Sequence, residues 1–131
     1  MYYLDANICI YFLKGTYPSL QNRLRPISPK KIKIPAIVMA EILVSTEKGA
    51  KGITRELWNK FFDAFEIVVF DTAAARQYAI IRAYLEKKGN IIGPNDLVIA
   101  ATVVANNGIL VTHNVKEFKR APHLSLEDWT A

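Results

Sequence analysis

Residues 93–114 read GPNDLVIAATVVANNGILVTHN, and this stretch decides the fold. Gly93-Pro94 makes a turn, and Asn95 to Asn106 reads as an apolar helix opened by Asp96. Asn107-Gly108 then turns the chain into a short apolar strand, Ile109 to Thr112. A helix feeding an apolar strand is the unit from which parallel sheets are built.

The same alternation extends in both directions. Met1 to Leu4 reads as a strand, Asp5-Ala6-Asn7 as a turn, and Ile8 to Leu13 as a helix that stops at Gly15. Tyr17 to Arg25 is a weaker helix closed by Pro26 and Pro29, and Lys31 to Ile34 alternates basic and apolar like a strand. Pro35 is expected to open a helix to about Glu47. Thr54 to Phe65 is amphipathic, with Trp58, Phe61 and Phe62 at helical spacing and assigned with Tyr11 and Phe12 to core or interface. Glu66 to Phe70 is a strand, and Thr72 is expected to cap a helix running to Lys88 before Gly89. Val115 to Phe118 and Leu124 to Leu126 supply a last short helix and strand. The expected architecture is one α/β domain over residues 1–131, a mainly parallel sheet flanked by helices.

Composition narrows the function. Half of the 131 residues are apolar, enough for a real core, yet no apolar run approaches the roughly 20 residues of a membrane span. The N-terminus lacks a signal-peptide pattern and Cys9 stands alone, so a reducing cytoplasmic setting is expected, without disulfides or a thiolate metal cluster. A net charge of +5 favours polyanionic partners, nucleic acid first.

Against that basic background four acids sit beside or inside apolar runs: Asp5, Glu41, Asp96 and Glu117. Each has a bland alternative. Asp5 and Asp96 read as helix N-terminal residues, Glu41 as a solvated helix position, and Glu117, among Lys116, Lys119 and Arg120, as a surface ion pair. Taken together they point to one site at the carboxyl ends of the strands, where such folds collect ligands. Converging carboxylates repel, and a divalent cation removes the conflict. Oxygen donors without Cys or clustered His select Mg²⁺ or Mn²⁺. Asn7, Asn95, Thr112 and Asn114 are candidates to orient carboxylates or water. His113 and His123 are single histidines near turns, of which only His113 invites a general-base reading.

At Tyr3-Leu4-Asp5-Ala6-Asn7, Ala40-Glu41-Ile42, Ile92 to Ala101, and Leu110 to Asn114 with Glu117-Phe118, the chain resembles the PIN-domain ribonucleases, specifically the VapC toxins. Leu126-Glu127-Asp128-Trp129 is similar to that family's ending, so the resemblance spans nearly the whole chain. It implies a PIN-like α/β/α sandwich and Mg²⁺-dependent cleavage of RNA, often tRNA. It also implies a homodimer and an antitoxin whose C-terminal segment covers the active site. By position Asp5 and Asp96 would be the main metal ligands and Glu41 the third acid. The family's fourth acid varies in place; Asn114 stands at one usual position and Glu117 three residues on. Two rivals stay open. A haloacid-dehalogenase-type phosphohydrolase also opens with an Asp after its first strand, but wants a second Asp where this chain has Asn7. A PIN-like module could also bind RNA or a partner without cutting.

Overall fold

A computed structural model describes residues 1–131. In chain order the elements are β1 (Tyr2–Leu4), α1 (Ala6–Lys14), α2 (Pro18–Leu24), a 3-10 turn at Pro29–Lys31, β2 (Ile32–Pro35), α3 (Ala36–Glu47), α4 (Arg55–Asp63) and β3 (Glu66–Val68). They continue with α5 (Thr72–Lys88), α6 (Pro94–Ala105), β4 (Ile109–Val111), α7 (Val115–Phe118) and β5 (Ser125–Glu127). The five strands form one parallel sheet in the order β3-β2-β1-β4-β5. This is the α/β architecture expected from the alternation.

Among the boundaries that differ from expectation, three have a local reason. Pro35 closes β2 instead of opening α3: its backbone is extended (φ −59°, ψ 140°) and it pairs with Val68. β3 stops at Val68 because its partner strand ends there, leaving Val69 and Phe70 64% and 42% exposed. Asp71, not Thr72, caps α5; its carboxylate accepts the Ala74 N–H at 2.9 Å.

The strand order creates the position for a site. From β1 the chain steps one way, through α1–α4, to β2 and β3; it then crosses back, through α5 and α6, to β4 on the other side of β1. With right-handed connections the two sets of helices cover opposite faces. The direction of winding therefore switches between β1 and β4, whose carboxyl ends lie side by side through the pairs Tyr3–Leu110 and Leu4–Val111. Asp5 and Thr112 are the next residues on these strands. The strand residues Leu4, Ile32, Ile34, Leu110 and Val111 are buried, as are Ile99, Ala100 and Val103 of α6. Trp58, Phe61 and Phe62 join this core, Trp58 and Phe62 stacked at 5.6 Å.

Gly108, which opens β4, packs directly under the ring of buried Tyr3, and a Cβ there would collide with that ring. Gly108→Ala is expected to lower stability by about 1–3 kcal/mol, the usual effect of overpacking, as measured by urea unfolding. A midpoint equal to that of the parent would show that Tyr3 moves aside freely.

Candidate active site

Asp5 is the residue around which the site is built. It caps α1, its Oδ1 accepting the Ile8 N–H at 2.9 Å, while Oδ2 accepts the Thr112 hydroxyl at 2.6 Å. Thr112 is fully buried, and its Oγ1 also accepts the Asn114 N–H at 3.0 Å. The cap and ligand readings of Asp5 are thus not alternatives: one oxygen holds the helix and the other faces the crossing point of the sheet. Burial pushes the Asp5 carboxyl up to about 6, against the opposing pull of its two hydrogen bonds.

Asp5, Asn7, Glu41, Asp96 and Asn114 line one cleft of about 150 Å³ over an apolar floor that includes Ile99 and Phe118. α3 packs against both α1 and α6 and so brings Glu41 to the cleft, where Asn95 Nδ2 donates to its Oε2 at 3.3 Å. The face expected to bury Glu41 does so only in part, since Val38 is buried but Val44 is 49% exposed.

Glu117 stands beside the cleft in the company of Asp96. Its Oε1 accepts the Gly93 N–H at 2.8 Å and its Oε2 accepts Asn114 Nδ2 at 2.7 Å. Those donors, led by the Gly93 N–H, hold the Glu117 carboxyl below its ordinary value. Asp96 moves the other way, to about 7, through burial and then through hydrogen bonding and repulsion from Glu117, with Glu41 and Asp5 adding to it. Within the pair the rise falls on Asp96, because Glu117 already has two donors and Asp96 does not. Glu117 is therefore no surface ion pair, and Asn114 is its partner rather than its competitor.

No three His, Cys, Asp or Glu side chains already close around an ion-sized point. The acids face one another across the cleft without forming a complete cage. That suits a small hard cation, which takes one or two carboxylates and keeps water for the rest of its shell. The donor set, oxygen only, fits the same class of ion.

The sequence reading missed two parts of this region. One is the Gly93 N–H, a backbone donor that no residue type advertises. The other is Asp128: its Oδ2 lies 3.1 Å from His113 Nδ1, and its charge adds to the burial-driven rise at Asp5. The only signal available was the acidic ending Glu127-Asp128-Trp129. His113 is thus paired, whereas His123 takes a positive φ of 66° in the turn before β5.

Thr112→Val removes a hydrogen bond to the charged form of Asp5 and so raises its pKa further. A reaction that requires ionised Asp5 is lost as pH falls through that pKa. The acid limb of the rate profile is expected to move to higher pH, by about one unit. An unmoved limb would separate Thr112 from the titration of Asp5.

Residues 2–124 match the PIN domain family. The chain belongs to that family. Within it the similarity is to the VapC ribonucleases, toxin nucleases of toxin–antitoxin pairs. This PIN domain is 40% identical over 131 residues to ribonuclease VapC2 of Rickettsia felis, covering 98% of each chain. It is 32% identical over 127 residues to the tRNA(fMet)-specific endonuclease VapC of Salmonella typhimurium, covering 96% of each. The crystal structure of the Rickettsia felis VapBC2 complex on a promoter DNA fragment superposes with a TM-score of 0.85 at 39% identity, covering 98% of both chains. The DNA-bound VapBC of Salmonella typhimurium gives 0.86 at 30% identity, covering 98% of this chain and 97% of that one. The chain is a VapC-type PIN-domain ribonuclease, and the phosphohydrolase rival falls away.

Proposed function

We propose that this PIN domain hydrolyses RNA phosphodiesters at the Asp5–Glu41–Asp96–Glu117 cleft with the help of a divalent cation, Mg²⁺ or Mn²⁺. The observation that supports it is the gathering of four acids, from positions 5 to 117, where burial and neighbouring carboxylates raise Asp5 and Asp96 above the ordinary carboxyl range. Asp5 and Asp96 would hold the ion, with Glu41 and Glu117 completing the anionic wall. When bound, such an ion supplies a water of lowered pKa and offsets the charge that builds on the phosphate. The chain's own groups do the rest. Thr112 and the Ile8 N–H fix both oxygens of Asp5, Asn95 orients Glu41, and the Gly93 N–H and Asn114 orient Glu117.

tRNA is the proposed substrate class, on the strength of the relatives named for tRNA(fMet) and of the chain's +5 charge. The proposed partner is a cognate antitoxin, since the similar structures are VapBC complexes. An apolar groove of about 170 Å³, formed by Ile10, Ile42, Ile53 and Trp58 with Lys14 and Lys51 at its side, offers a seat for its C-terminal segment. A homodimer is supported by α5, where Ile80 and Tyr84 stand one turn apart, 52% and 44% exposed, with Ile91 nearby in sequence at 53%. No helix is long and apolar enough to cross a membrane, and the cytoplasm is the proposed location.

End-labelled total tRNA, incubated with Mg²⁺, with EDTA and with Asp96→Asn, tests the reading. Discrete Mg²⁺-dependent cuts that disappear in the other two arms are expected. Cutting at the parental rate by a cleanly purified Asp96→Asn would remove the acid cleft from the reaction.

A further inference from the structure

We infer that His113, Tyr11 and Tyr17 form a stacking platform for a nucleobase of the RNA next to the scissile phosphate. The inference rests on the ribonuclease reading and extends it to substrate binding.

The three rings touch one another: Tyr11 and Tyr17 meet edge to face at 5.1 Å, Tyr17 and His113 lie 5.7 Å apart at 45°, and Tyr11 and His113 6.4 Å apart. Their place adjoins the acid cleft. Tyr11 is one helical turn beyond Asn7 on the same face of α1, and Asn7 lines the cleft. His113 stands between Thr112, which holds Asp5, and Asn114, which lines the cleft. A turn at Gly15-Thr16 returns the chain so that Tyr17 closes the group. Tyr11, expected to be core or interface, does pack against the core, and like Tyr17 it is half-buried within this aromatic cluster.

The His113 ring is held in place although half of the side chain is open to solvent. The Thr130 hydroxyl donates to Asp128 Oδ1 at 2.6 Å, so its oxygen, 2.9 Å from His113 Nδ1, accepts the Nδ1 proton together with Asp128 Oδ2. A ring fixed this way loses little freedom when a base settles on it. An uncharged attraction beside the cleft does not depend on the ionisation of its acids or on a bound cation. Stacking on an aromatic face is such an attraction, and it serves any base.

The test uses the purified full chain with two probes: end-labelled total tRNA, and a single-stranded RNA carrying 2-aminopurine. His113→Ala and Tyr11→Leu are expected to raise KM about tenfold with kcat unchanged, and His113→Phe to restore it. Binding of the 2-aminopurine RNA is read separately in the non-cutting Asp96→Asn background. There His113→Ala is expected to weaken Kd about tenfold and to abolish the fluorescence quench. Unchanged KM and Kd in His113→Ala, an exposed position that tolerates the change, would overturn the platform. So would a fall in kcat that His113→Phe does not repair, the mark of proton transfer by the imidazole. If the parent chain cuts no RNA, the ribonuclease reading fails, while the binding arm still decides the platform.

Discussion

Asp5→Asn is expected to abolish RNA cleavage and, at pH 8 without divalent cations, to make the protein more stable. The two effects have one cause. The Asp5 carboxyl is 6% exposed, and its pKa stands at about 6 against an ordinary 3.8. A group whose folded pKa is raised stabilises the fold only while protonated. Below pH 3.8 both states carry the proton and nothing is lost; between 3.8 and 6 the unfolded chain ionises first; above 6 the full penalty is present. At about 1.4 kcal/mol per pKa unit the penalty approaches 3 kcal/mol, less whatever the surroundings relax. Asn carries no charge, is as good a helix cap as Asp, and can keep the Ile8 N–H bond while turning its amide toward Thr112. The expected readouts are a cleavage rate lower by about 10³-fold and a higher melting temperature at pH 8, with the gain vanishing near pH 4. A lower melting temperature at pH 8 would show that the carboxylate, despite its burial, contributes to holding the fold.

Removal of divalent cations has the second large expected effect. With EDTA, cleavage should stop, and Mg²⁺ or Mn²⁺ should restore it where K⁺ does not. The apo protein should also report the ion directly, because a bound cation relieves the repulsion among the acids. Mg²⁺ is expected to raise the melting temperature at pH 8 and to do so much less at pH 5.5. At the lower pH, Asp5 and Asp96, with pKa values of about 6 and 7, hold protons that the ion must displace. A melting temperature that ignores Mg²⁺ at pH 8, or cleavage that survives EDTA, would sink the metal site.

The parts of this site that were readable in the sequence share a property: an acid set in an apolar run. Asp5 ends an apolar run, Glu41 interrupts one and Asp96 opens one, and that placement is visible without coordinates. The part that was not readable depends on register. Glu117 looks like one charge among Lys116, Lys119 and Arg120 until α7 brings it to the Gly93 N–H, 24 residues earlier in the chain. Asp128 gains its position only because β5 pairs with β4, through contacts such as the Thr112 N–H donating to Glu127 O. The fold itself was clear because helix and strand periods alternate cleanly. Its errors lie where two residues compete for one boundary, as Asp71 and Thr72 do at the start of α5.

The central strand β1 pairs with β2 on one side and with β4, more than a hundred residues later, on the other. The cleft therefore joins residues from Asp5 to Glu117 that are far apart in the chain. A polypeptide that ends before β4 has neither Thr112 to hold Asp5 nor Glu117 beside Asp96. The hydrogen bonds that hold the acid cleft in shape therefore form only once β4 and α7 have joined β1 and the loop before α6.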